Sequence, residues 1–111
     1  MKEEPKTTPL RLVYVTAPDR DAALRMARTV VTERLAACAN VVEQVSSVYW
    51  WQGAVHEDSE TAVILKTRQA LVKKLTARLS ELHSDDCPCV VSLMIEDGHP
   101  DFLNWVVRET S

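Results

Sequence analysis

Thr61-Ala62-Val63-Ile64-Leu65-Lys66 is the stretch whose reading decides the fold. Successive side chains of a strand point to opposite faces, so Val63 and Leu65 share one side and Ala62 and Ile64 the other. Both sides are apolar, the pattern of an interior strand covered front and back. Upstream, Ala36 to Trp51 holds neither Pro nor Gly and is rich in Val, Ser, Tyr and Trp. It reads as a long strand with a bend or bulge midway, and Gly53 marks the turn that folds it back onto Thr61–Lys66.

Leu10 to Thr16 clusters Leu12, Val13, Tyr14 and Val15 ahead of Pro18, which predicts a first strand. Asp19 is placed to cap a helix whose apolar positions, Ala23, Met26, Ala27, Val30, Val31 and Leu35, recur every three or four residues. That helix is expected to reach Leu35. Leu71, Leu75, Leu79 and Leu82 form a second helical stripe ending near His83, Val90–Ile95 reads as a further strand, and Pro100 opens a short terminal helix. Strand, helix, strand, strand, helix, strand is the split β-α-β order of ferredoxin-like α+β folds, with two helices on one face of a four-stranded sheet. The second face is left bare and apolar, so a homo-oligomer is expected to cover it.

A length of 111 residues suits one domain, drawn at 10–111 behind a polar leader at 1–9 that is expected to be flexible. Thirteen Lys and Arg against sixteen Asp and Glu leave a formal charge of −3, with the basic residues scattered singly, which gives nucleic acid binding no electrostatic support. No apolar run approaches the length that spans a bilayer, so no membrane partner is expected. Cys38, Cys87 and Cys89 are an odd count in a chain large enough to fold without staples, and they read as thiols of a reducing compartment, the cytoplasm.

Several blocks then stand together: Val15-Thr16-Ala17-Pro18-Asp19, Leu35-Ala36-Ala37-Cys38-Ala39-Asn40, Ser47-Val48-Tyr49-Trp50-Trp51-Gln52-Gly53, Glu60 through Thr67, and Gly98-His99-Pro100-Asp101-Phe102-Leu103-Asn104-Trp105. In this order they resemble the signature blocks of the CutA family over Leu10 to Glu109. The resemblance implies a homotrimer of ferredoxin-like protomers whose long second and third strands reach neighbouring subunits. It also implies a role in divalent cation tolerance, chiefly of copper, and a likeness in architecture to trimeric PII-type signalling proteins. One segment departs from the pattern: where the family carries His-Pro-Tyr and then Pro-Glu, this chain has His83-Ser84-Asp85 and Pro88-Cys89, so a glutamate has become a thiol.

Cys87-Pro88-Cys89 is the most suggestive local motif, because residues two apart on an extended chain face the same way and thiolates favour copper(I). With His83 they form the expected metal ligand set, for copper or another divalent cation, with no cofactor required. The competing reading of His83 is a helix-terminal imidazole facing the helix dipole. Cys38, in an Ala-rich stretch, reads as packing. Trp50, Trp51, Glu60 and Lys66 are the expected lining of an intersubunit cleft that would take an unidentified small molecule, the alternative PII-like role. Asp85 and Asp86 read as solvated. No phosphate-cradling glycine loop, nucleophile elbow or paired-histidine zinc motif is present, and the chain is not expected to be an enzyme.

Overall fold

Strand β1 (Leu10–Ala17) lies between β3 (Ala54–Arg68) and β4 (Val90–Ile95), and β2 (Cys38–Trp51) pairs with the outer side of β3. The sheet order is thus β2-β3-β1-β4, and every pairing is antiparallel. A computed structural model describes residues 8–111. Of the leader at 1–9, residues 1–7 lie outside the described residues, while the Pro9 carbonyl accepts the Gln69 N–H at 2.9 Å.

Helices α1 (Arg20–Thr32) and α2 (Val72–Leu82) cover one face of the sheet. Val13 and Val15 from β1 and Val63 and Leu65 from β3 meet Met26 and Val30 of α1 and Leu75 and Leu79 of α2 in one fully desolvated core. Burying a Val or Leu side chain of this kind stabilises by about 1.5–3 kcal/mol, which makes this layer the main source of cohesion. Asp19 accepts the Ala22 N–H at 2.8 Å and starts α1 as its sequence position predicts.

The other end of α1 differs from expectation. The helix stops at Thr32, three residues before Leu35, because Arg34 turns left-handed at φ 60°. Leu35 N–H then reaches back to the Val30 carbonyl at 2.9 Å and Arg34 N–H to that of Val31 at 3.0 Å, a Schellman closure that satisfies the final carbonyls. Leu35 still packs on the core, so its apolar periodicity was read correctly but belongs to the cap.

Helix α3 (Pro100–Glu109) takes the other side of the sheet, where it covers one end. Its Val106 packs on Leu10 and Ala37, with Ile95, the register partner of Leu10, beside them. The second face is therefore only partly bare. Past α3, Val91 and Leu93 remain 52% and 54% exposed, next to Leu12 and Tyr14 across the ladder.

Strands β2 and β3 run well beyond this body as a hairpin arm, and the molecule measures 58 × 27 × 22 Å. The arm closes through Gln52 and Gly53, both at positive φ (48° and 80°), the conformation that matches a tight hairpin turn to strand twist. Midway, Val42 pairs with Ala62 but Val45 pairs with Glu60. One extra residue is thus inserted in β2, and Gln44 adopts φ 60° to accommodate it. A slip of one residue reverses which face each following side chain takes. Ser47, Tyr49 and Trp51 therefore join Tyr14, Thr16 and Glu60 on the side away from α1 and α2, while Val48 and Trp50 point the opposite way.

Candidate functional site: an acidic, aromatic cleft

That reversal builds one wall of a cleft of ≈ 650 Å³ that runs along the arm, from Tyr14 and Thr16 at its base to Trp51 beside the turn. Tyr14, Tyr49 and Trp51 give it aromatic surface. Glu60 of β3 and Asp85 and Asp86 of the loop after α2 give it carboxylates. Cys87 and Cys89, farther along that loop, add two exposed thiols. Among the described residues no Lys, Arg or His side chain lines the cleft, so its interior attracts cations and repels anions.

The electrostatics show at Tyr49. Its phenol donates a hydrogen bond to Asp58 and its ring stacks on His56, its register partner, with centroids 5.8 Å apart. The bond to Asp58, then desolvation, then the charges of Asp58, Glu60 and Asp85 hold the phenol above its usual pKa. Carboxylates from the arm and from the loop thus act on one point.

His83 sits behind the loop and only 1% of its side chain is exposed. Its Nδ1 accepts the Asp85 N–H at 3.0 Å, which leaves Nε2 as the protonated nitrogen, and Nε2 lies 2.6 Å from the Thr16 carbonyl. Both ring nitrogens are engaged within the chain. Among the described residues no group of three or more His, Cys, Asp and Glu side chains is arranged to hold a metal ion, so His83, Cys87 and Cys89 do not come together as a three-ligand centre in one chain. Cys87 and Cys89 share the cleft; His83 braces the loop that carries them.

The other expected set also divides. Trp51 and Glu60 line the cleft. Trp50, 75% exposed, is on the reverse side of the arm. Lys66 stands near the far end of β3, donating to Asn40 Oδ1 at 2.6 Å and paired in register with Cys38. Burial raises the Cys38 thiol pKa and the Lys66 charge partly offsets it, in keeping with a packing role. Sequence reasoning missed Tyr14 and Thr16; Asp85 and Asp86 are exposed, as expected, and stand at the edge of the cleft. Strand parity identifies the first two once the arm's register is known; nothing local marks the loop acids.

Strand order, core and cleft together define a ferredoxin-like α+β protein with an acidic, aromatic-lined cleft. A family model described as CutA1 divalent ion tolerance protein matches residues 11–109, and the chain belongs to that family. "Protein CutA, chloroplastic" of Arabidopsis thaliana is 44% identical over 110 residues, 99% of this chain and 60% of that protein. "Divalent-cation tolerance protein CutA" of Pyrococcus horikoshii is 41% identical over 99 residues, 89% of this chain and 96% of that one. The chain therefore spans 60% of the length of the plant relative and nearly all of the archaeal one. The crystal structure of CutA1 from Oryza sativa superposes with a TM-score of 0.91 at 41% identity, covering 95% of this chain and 96% of that chain.

Proposed function

We propose that the chain works as a homotrimer that binds divalent or soft metal cations and contributes to tolerance of them, without catalysing a reaction. The observation that carries this reading is the cleft in which three carboxylates and two thiols converge with no cationic side chain among the described residues. Copper is the ion put first, since Cys87 and Cys89 are soft ligands and copper(I) is satisfied by few of them. Ligation by His83 would require its Nε2 to leave the Thr16 carbonyl, so in this proposal the thiols bind and His83 joins them only if the loop opens.

Assembly follows from the uncovered apolar strip at Val91 and Leu93, which a monomer would leave in water. The family resemblance supports three copies. Cytoplasm is the proposed compartment, on the ground that Cys38, Cys87 and Cys89 are all unpaired. Among the described residues no helix is long and apolar enough to cross a membrane.

Titration with copper(I) and copper(II) tests the metal reading on wild type and on a Cys87→Ser, Cys89→Ser double variant. Loss of copper(I) affinity in the double variant is expected, and unchanged binding would remove the thiols from the account. A second reading, a module that binds a small molecule in the manner of PII-type proteins, is favoured by one observation: the cleft is far larger than a bare ion and has aromatic walls.

A further inference from the structure

We propose that the outer surface of helices α1 and α2 is a docking face for an acidic peptide segment of a partner protein, whose carboxylates pair with Arg25, Arg28, Lys73 and Lys74. Eleven Lys and Arg occupy described positions, and seven of them bond to an oxygen of the chain, as Arg78 does to Glu33, Arg34 to Glu109 and Arg20 to Glu43. The four without such a bond among the described residues are Arg25, Arg28, Lys73 and Lys74, and all four are exposed. They share one surface. Arg25 and Arg28 stand on α1 opposite its buried stripe of Ala23, Met26, Ala27 and Val30. Lys73 and Lys74 open α2, which covers the same face of the sheet and is tied to the end of α1 by the Glu33–Arg78 pair.

The charge of the chain is segregated to match. Arg20 through Arg34 together with α2 carry seven Lys and Arg against three Asp and Glu, whereas the rest of the chain carries six against thirteen. An anionic partner is therefore drawn to this layer of a chain that is negative overall. Lys73 and Lys74 also break a local rule: the first turn of α2 holds no acidic residue and no side-chain cap, so these cations oppose the positive end of their own helix dipole. A local rule broken without compensation inside the chain marks a functional surface.

Chemistry selects the partner. Neither α1 nor α2 carries an aromatic side chain on which a nucleic acid base could stack. No large apolar side chain of either helix is exposed to enter a bilayer. In the proposed trimer, closed through the opposite face of the sheet, three such surfaces look in three directions, and one flat membrane cannot meet them together. Asp21 and Glu81, set among the cations, repel a continuous polyphosphate and suit a partner whose negative charges are spaced.

Fluorescence anisotropy of the full chain tests this with a labelled peptide of alternating Glu and Ala, the same peptide with Gln in place of Glu, and an oligothymidylate, alongside co-sedimentation with phosphatidylserine–phosphatidylcholine vesicles. The Glu peptide is expected to bind saturably, to bind more tightly than the other probes and to weaken several-fold as salt is raised. Arg25→Gln with Arg28→Gln, and Lys73→Gln with Lys74→Gln, should each weaken it by about three- to ten-fold, the scale of two exposed ion pairs. Arg108→Gln, which removes an exposed cation outside the face, should leave the affinity as in wild type. The lysine double variant should keep or raise the urea midpoint, since it relieves the dipole conflict. No binding of the Glu peptide, equal binding of the Gln peptide, tighter binding of the oligothymidylate or the vesicles, wild-type affinity in both double variants, an equal loss in Arg108→Gln, or a lowered midpoint in the lysine variant would overturn the proposal.

Discussion

His83 Nε2 donates to the main-chain carbonyl of Thr16 across 2.6 Å, tying the residue that ends α2 to the penultimate residue of β1. The same ring accepts the Asp85 N–H, so one buried imidazole fixes the start of the loop that forms a cleft wall.

Replacing it should be felt locally and globally. His83→Ala leaves the Thr16 carbonyl without that partner and the Asp85 N–H free, and a lost buried hydrogen-bonding partner costs about 1–3 kcal/mol. Urea unfolding is expected to show a loss of that size, and the Asp85 amide to exchange faster with solvent. Unaltered exchange at Asp85 would mean that the loop is held by something else.

Glu33 and Arg78 form a two-pronged pair, at 3.0 and 2.9 Å, that links the end of α1 to α2. The hydrogen bond from Arg78 holds the Glu33 carboxyl below its usual pKa, with desolvation opposing and the Arg78 charge assisting. A depressed carboxylate pKa adds stability that is complete above the unfolded-state value and is lost as pH falls through the folded-state value. Wild type should therefore exceed Glu33→Gln in denaturant midpoint near neutrality, and the two should converge at strongly acidic pH. Added salt should narrow the neutral gap, because both side chains are solvated.

Gln52 occupies the first of two positive-φ positions in the hairpin turn, at 48°, where a long side chain has no advantage. Asn is far better suited to that conformation when Gly follows. Gln52→Asn should raise stability by about 0.5 kcal/mol, within the range that relief of a left-handed residue gives, and a small upward shift in melting temperature would register it.

Leu93 is 54% exposed on the strip beyond α3. Leu93→Glu would place a charge in the proposed subunit contact, and desolvating an unpaired carboxylate is costly. Sedimentation velocity should show wild type as a trimer and the variant as a smaller species. A folded wild-type monomer at low micromolar concentration would refute the assembly.

Much of this architecture was legible in the sequence, and the reasons are specific. Val63 and Leu65 against Ala62 and Ile64 announced an interior strand because burial on both faces leaves no polar alternation. Leu75 and Leu79 announced α2 because a three-to-four spacing makes one stripe. Leu35 misled, since a residue that packs on the core after a left-handed turn keeps the helix's periodicity without its conformation. The face taken by α3 was not legible at all: Val106 is apolar either way, and only the pairing of Leu10 with Ile95 shows which side it meets.

The cleft was half legible for a similar reason. Within one chain Trp51 and Glu60 line the same cleft, whereas Trp50 faces the other side of the arm and Lys66 stands near the far end of β3. Glu60 and Lys66 do share one face of β3, as their even spacing predicts, but Lys66 lies six residues farther along the strand and does not reach the cleft. His83 was read as a metal ligand or a helix-terminal imidazole, and its hydrogen bond runs instead to a carbonyl 67 residues earlier, which no local pattern encodes.

The inserted residue at Gln44 makes side-chain roles in the arm depend on a count of one. A relative of equal length that paired here without the bulge would bring Trp50 and Val48 opposite Ala54 and His56, where Trp51 and Tyr49 now stand, with the hairpin turn moved by one residue. Matching such a protein to this one position by position would keep every name aligned and exchange inside for outside.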